Sequence, residues 1–258
     1  MSSLRALLVV VATLAVASPA AAERLVTSLS KHRVLVTSNF VGEDLVLFGA
    51  VEPDNTSRPP RTGYDVVVTV TGPTTAFVTR RKERRLGVWI NVESRDFVRA
   101  PNFLAVMSNR PLPQIASVDV RRRLQIGLDY VSLPQQIGRD VADVLPEDAF
   151  RRAFIRINGE HNLYQEKANA VTLLSPTLFQ ATLPLPAAAP IGSYNVDIKV
   201  FADGVLVART TSAFEVIKAG FEQFIAETAH QYGLLYGLAT ALMALLTGWI
   251  ASVVFRRD

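Results

Sequence analysis

"GSYNVDIKVFADGVLVARTTSAFEVIK", residues 192–218, alternates apolar and polar side chains on either side of Asp203-Gly204. Alternation is the period of a half-buried strand, because successive side chains of an extended backbone point to opposite faces. Asp-Gly supplies the left-handed residues that a two-residue hairpin turn needs. The stretch is therefore expected to be two long antiparallel strands. Just before it, "LPLPAAAPIGSY" (183–194) is a Pro-rich turn running into Gly-x-Tyr. That arrangement places Tyr194 to pin a corner through its hydroxyl, as in the late strands of an immunoglobulin-like domain.

Working outward, the same β-branched alternation recurs in "RVLVTSNF" (33–40), "EDLVLFGAVE" (43–52), "YDVVVTVTGP" (64–73), "AVTLLSP" (170–176) and "LFQATLPLP" (178–186). The loop "PDNTSRPPRTG" (53–63) stops pairing between two of them. "TTAFVTRRKERRLGVWINVES" (74–94) is two apolar runs around Arg80, Arg81, Lys82, Glu83, Arg84 and Arg85, which predicts a hairpin with a charged tip. From about 97 to 168 four prolines interrupt the pattern, and "PEDAFRRAFIRINGEHNLYQEK" (146–167) opens on Pro and two acids with Phe150, Phe154 and Ile157 at helical spacing. The expected fold is mainly β: an Ig-like antiparallel β-sandwich over 23–217 with a helical insertion at about 97–168. Two small sandwiches are the alternative.

Both ends are apolar. "MSSLRALLVVVATLAVASPAAAE" has Arg5, a short apolar core and Ala20-Ala21-Ala22 before Glu23, so 1–22 reads as a secretory signal peptide. Residues 218–232 are expected to form a juxtamembrane amphipathic helix. Residues 233–255 carry no charge and read as a transmembrane helix about 34 Å long. Arg256 and Arg257 follow, which puts the tail 256–258 in the cytoplasm and the bulk of the chain in the periplasm. Gly233, Gly237, Thr240, Ala244, Gly248, Ala251 and Ser252 share one side of that helix, with Leu235, Leu238, Leu242, Leu246, Trp249 and Val253 opposite. Small residues let helix backbones approach closely in lipid, so this side is the expected helix-packing face.

Composition narrows the chemistry. The 258 residues contain no Cys, which excludes disulfides, thiolate metal sites and cysteine nucleophiles. The net charge of +4 is mild and the arginines are scattered through strands, so nucleic acid is not an expected partner. His32, His161 and His230 fall in different predicted elements. Glu160, His161 and Glu166 read as a solvated helix end rather than a metal cluster, and Asp140, Asp143, Glu147 and Asp148 as helix-start acids rather than an acid–base pair. No phosphate loop or nucleophile elbow occurs. Neither an enzyme nor a cofactor is expected. Arg80–Arg85 and Arg121, Arg122 and Arg123 are the two basic clusters able to meet an anion, a headgroup or an acidic partner.

"NFVGEDLVLFG" (39–49), "VVVTVTGP" (66–73), "RRKERRLGVWIN" (80–91), "LSPTLFQATLPLP" (174–186) and "LLYGLATALMALLTGWIASVVFRR" (234–257) together resemble the alphaproteobacterial family of single-span transmembrane proteins of unknown function. The resemblance implies a periplasmic domain with a C-terminal anchor in the inner membrane. It also implies an accessory role, since genes of that family often lie beside those of TauE/SafE-type sulfite exporters. The expectation is an accessory protein packing through its span against a multi-span permease, or self-associating. The alternative is an anchored ligand-binding or envelope-structural module with a passive anchor.

Overall fold

The computed structural model describes residues 23–52, 63–143, 146–220 and 232–254. The expected signal peptide, the 53–62 loop, most of the expected juxtamembrane segment and the expected cytoplasmic tail lie outside them.

Fourteen strands are present among the described residues. β1 (Arg24–Leu29), β3 (Gly42–Glu52), β11 (Val171–Leu173) and β12 (Leu178–Pro186) make an antiparallel sheet in the order β1-β3-β12-β11. β2 (Arg33–Val36), β4 (Asp65–Thr71), β7 (Leu104–Ser108), β10 (Tyr164–Ala168), β13 (Gly192–Ala202) and β14 (Val205–Lys218) make a second sheet in the order β10-β7-β4-β13-β14-β2. Its interior is antiparallel and both outermost pairs are parallel. β5 (Thr74–Arg85), β6 (Val88–Pro101), β8 (Pro134–Ile137) and β9 (Asp140–Asp143) form the third sheet.

The first two sheets face each other. Val66, Val68 and Val70 on β4 and Val196, Ile198 and Val200 on β13 meet Leu45 and Leu47 on β3 and Phe179, Ala181 and Leu183 on β12, all buried. Each large apolar side chain so buried contributes about 1.5–3 kcal/mol against ordering costs of similar size. The β13–β14 turn is the expected one: Ala202 pairs with Val205, leaving Asp203 at φ 51° and Gly204 at φ 78°. Gly49 is set by close approach, since a Cβ there would lie 2.1 Å from the ring of its partner Phe179.

The expected helical insertion at 97–168 is corrected. That segment holds the end of β6, then β7, two short helices α1 (Leu112–Ile115) and α2 (Val118–Arg123), β8, β9, the longer α3 (Ala149–Glu160) and β10. β7 lies beside β4 inside the main sheet. Its residues are buried on both faces: Ala105 and Met107 enter the sandwich core, while Val106 and Leu104 enter two smaller clusters behind it. A strand covered on both sides has no alternation, which hid "LAVMS" among the prolines.

α3 starts where expected, with the Asp148 carboxylate accepting from Arg151 N at 2.7 Å. Phe150 and Phe154 are buried, and Phe154 stacks on Phe97 at 4.5 Å. Ile157 is 40% exposed and Asn158 takes the buried position instead. The helix stops at Glu160, so Tyr164–Ala168 are strand rather than helix.

At the C-terminal end, Ile217 and Lys218 still pair with Leu35 and Val36, so the strand runs into the segment expected to be the juxtamembrane helix. Gly233–Val254 form α4, 22 residues long. The expected crossing at 233–255 also takes in side chains of residues 235 and 253–255, which lie outside the described ones. Among the described residues no helix is long and apolar enough to cross a membrane.

Candidate functional site

The outer face of the main sheet, turned away from the sandwich core, carries a polar floor. On β4 it presents Thr69 and Thr71, on β13 Asn195, Asp197 and Lys199, because the alternate residues are committed to the core. Register aligns them: Thr69 pairs with Asp197, Thr71 with Asn195, and Lys199 with Arg209 of β14. Arg99 and Pro101 of β6, Leu124 and Gln125 after α2, and Val131 with Ser132 close over this floor, leaving a cleft of about 270 Å³.

Asp197 is the hub. It accepts from Arg209 Nε at 2.8 Å and Nη2 at 3.0 Å, and from Lys199 Nζ. The hydrogen bonds that Arg209 donates to Asp197 raise the Arg209 pKa above its usual value. Lys199 is only 2% exposed, so the carboxylate is what keeps a buried ammonium tolerable. Two donors in the cleft are not used up. The Thr69 hydroxyl is buried without a hydrogen-bond partner, and Arg99 has no ion pair among the described residues. Three cations against one saturated carboxylate leave the cleft positive.

The cleft roof is held by a residue that the sequence reading passed over. Arg151, 1% exposed, donates from Nη2 to the carbonyls of Asp129 and Val131 and from Nη1 to Asp143 at 3.1 Å. Its signal was an Arg set among Phe150 and Phe154 on the apolar side of α3. On the other side of the roof, Gln125 at φ 53° ends α2 with Ile126 N bonded to Arg121 O and Gln125 N to Arg122 O, the Schellman pattern.

Of the acids weighed for acid–base chemistry, Asp143 and Asp148 are engaged structurally, and so are Glu160 and Glu166 of the metal reading. Asp143 also accepts from Leu133 N, Asp148 caps α3, Glu160 pairs with Arg156 at 2.7 Å, and Glu166 accepts from Leu128 N at 3.0 Å. Among the described residues no group of three metal-ligating side chains gathers. Of the two basic clusters, Arg121 lies 5.4 Å over the Tyr130 ring.

The other basic cluster lines the β5–β6 hairpin, and its tip differs from expectation. Arg85 pairs with Val88, so the turn itself is Leu86-Gly87, and the charges flank it rather than form it. Leu86 is fully exposed at φ 48°.

All seven residues of the expected packing face lie on α4, and all seven are exposed. A Cβ added at Gly233, Gly237 or Gly248 would meet nothing within 4 Å. The opposite side is equally bare, with Leu238, Leu242, Leu246 and Trp249 each more than half exposed. Thr240 donates to Tyr236 O and Gly237 O, and Thr247 to Met243 O at 2.7 Å, so both hydroxyls are satisfied inside the helix.

Among the comparisons, no curated protein matches. The N-terminal domain of the Streptococcus gordonii adhesin Sgo0707 aligns at 9% identity over 75% of this chain and 32% of its own, with a TM-score of 0.28. This chain thus spans about a third of that structure. A family profile described as "Putative transmembrane protein (Alph_Pro_TM)" matches residues 24–257. That match takes in the sandwich, the cleft, the hairpin and α4 together, and the chain belongs to this alphaproteobacterial family.

Proposed function

We propose that the chain is a membrane-anchored accessory protein whose sandwich works on the periplasmic side of the inner membrane while its last helix packs against a multi-span partner. The observation that carries this reading is the state of α4: uncharged along its length and exposed at every described position. A helix apolar on all sides is stable only when lipid or protein covers it. As continuous helix, 233–255 would rise about 34 Å against a hydrocarbon thickness of about 30 Å. Hydroxyls bonded to their own helix also suit lipid, where no water is present to take them. The small-residue side is the packing seam, and a sulfite-exporter-type permease is the partner that the family resemblance favours. Replacing Gly237 and Gly248 with Leu is expected to abolish co-purification of the partner in mild detergent. Undiminished recovery would overturn the seam.

The Ig-like reading of the sandwich draws on strand order. β1-β3-β12-β11 matches an A-B-E-D sheet and β14-β13-β4 a G-F-C sheet, with the Tyr194 corner at the start of the F-equivalent strand.

The cleft favours a second reading, an anchored ligand-binding module with a passive span. Arg99, the unpaired Thr69 hydroxyl and the spare donors of Lys199 suit a small organic anion. In titration calorimetry of the full chain against short carboxylates and phosphate monoesters, Arg99→Gln would weaken binding. Exchange of the span for an unrelated one would leave that binding intact.

A further inference from the structure

The β5–β6 hairpin carries features that neither the sandwich nor the cleft uses. Its base packs: Phe77 and Phe97 pair with each other, and both rings meet Phe154 of α3. β8 joins β6 only at Asp96 and Phe97, and beyond them the two strands pair only with each other among the described residues. From Val78 to Arg85 the free part extends about 25 Å at strand rise.

The outer part combines apolar exposure with concentrated charge. Leu86 is 104% exposed, Trp89 66% and Val88 63%, with Ile90 beside them. Residues 80–95 hold six cations, Arg80, Arg81, Lys82, Arg84, Arg85 and Arg95, against Glu83 and Glu93. That surplus equals the formal charge of the whole chain, so the remaining residues sum to neutral. The two glutamates pair with Arg81, Arg85 and Arg95, leaving Arg80, Lys82 and Arg84 without acidic partners among the described residues. Leu86 also occupies a left-handed backbone position that Asn, Asp or Gly would fill with less strain. A bulky apolar residue is thus held, at a backbone cost, where water alone meets it.

Topology places the base of the hairpin beside the strand that leads to α4. β4 ends at Thr71, paired with Asn195, and the hairpin leaves from there through Pro73. β14 ends beside Gly192, which pairs with Val216, and the Pro73 ring lies against Gly192. The hairpin and the segment leading to α4 therefore leave the same end of the sandwich. The fifteen steps from Lys218 to Gly233 reach at most about 50 Å, so the end of the sandwich from which the hairpin leaves lies within that distance of any bilayer that holds α4.

We propose that the hairpin tip docks on an anionic phospholipid surface, Leu86, Val88 and Trp89 entering the interface while Arg80, Lys82 and Arg84 meet lipid phosphates. Trp at the headgroup level and cations beside acidic lipid are each favourable there. The inference rests on the anchored reading of α4.

The chain has two tryptophans, Trp89 and Trp249, so each can be made the sole reporter. Full-length Trp249→Phe and Trp89→Phe proteins are reconstituted in vesicles of neutral lipid, or of neutral lipid with one quarter phosphatidylglycerol, each with and without brominated chains. Trp89 is expected to shift blue and be quenched by brominated lipid in the anionic vesicles. The quenching should disappear with Arg80→Gln, Lys82→Gln and Arg84→Gln combined. Leu86→Asn, which suits the turn better, should keep the fold and lower the docked-to-free ratio about tenfold. Trp249 quenched with Trp89 still open to aqueous iodide would overturn the docking and leave the anchor standing. Trp89 shielded from iodide but untouched by brominated lipid would overturn it in favour of a protein contact. Absence of quenching at Trp249 would instead remove the anchor on which the inference rests.

Discussion

The Tyr194 hydroxyl donates a 2.7 Å hydrogen bond to the carbonyl of Pro190, tying the start of β13 to the proline corner before it. The ring is fixed independently, stacked on Phe214 at 4.9 Å and tilted against Phe103 at 5.6 Å. Tyr194→Phe keeps this packing and removes only the hydroxyl. It is expected to cost about 1–3 kcal/mol, the penalty for a polar group left without its partner. Urea titration of the full chain in detergent measures it, and an unchanged midpoint would show that the corner is held by packing alone.

Burial pushes the Tyr194 phenol well above its ordinary value, and that of Tyr164, which donates to Pro101 O, likewise. A raised folded pKa on an acid means that the fold prefers the neutral form. This contribution is complete below the unfolded tyrosine value of about 10 and is lost as pH rises beyond it. The wild-type protein should therefore lose stability steeply above pH 10, and Tyr194→Phe with Tyr164→Phe should flatten that loss. Parallel pH profiles for the two proteins would contradict the assignment.

Gly49 and Phe179 set the spacing of β3 and β12. Gly49→Ala places a methyl 2.1 Å from a ring carbon in a core with Phe179 wholly buried, so the ring must leave its place. A loss of about 2–4 kcal/mol is expected, at or above the usual overpacking range because the obstacle is a rigid ring. Phe179→Leu in the same chain should recover part of it. Additive losses in the double variant would mean that the two residues do not compete for one space.

Asp197→Ala leaves Lys199 charged, buried and without its counter-ion, at an expected cost of about 3–5 kcal/mol. Lys199→Met in the same chain removes the stranded charge and should restore most of the stability, since a hydrophobic replacement of a buried pair is often neutral. Thermal melts of the two single variants and the double close the cycle. A double variant no better than Asp197→Ala would show that Asp197 serves chiefly to hold Arg209.

The sandwich was legible where one face of a strand is buried and the other wet. β12 and β14 carry that alternation along their length and β13 over its first half, β13 and β14 pair as expected, and Asp203-Gly204 names its own turn. β7 was hidden because both its faces are covered, and β1 because "RLVTSL" follows directly on the expected cleavage point and reads as the start of a mature chain. The cleft was illegible for a different reason. Asp197 and Lys199 looked like the solvated positions of an alternating strand until β6 and the 124–132 segment came down over them. Charge at alternate positions says which face a residue occupies but carries no information about what distant segment covers that face.

Arg151 belongs to that hidden class, and its substitution tests whether the covering lobe is a separate cooperative unit. The side chain ties α3 to the carbonyls of Asp129 and Val131, which run into the cleft roof, and to Asp143 at the edge of the third sheet. Arg151→Met preserves bulk but strands two carbonyls, and Arg151→Lys restores charge without the forked donors that reach three acceptors at once. Both variants are expected to speed amide exchange across residues 128–137 and 148–160 at least tenfold. Amides of β4, β13 and β14, bonded within the main sheet and packed on the opposite core, should be unaffected. Hydrogen exchange read by mass spectrometry separates the cases. Protection lost equally in the lobe and the sandwich would mean that the two unfold together and that Arg151 supports the whole fold rather than the roof of the cleft.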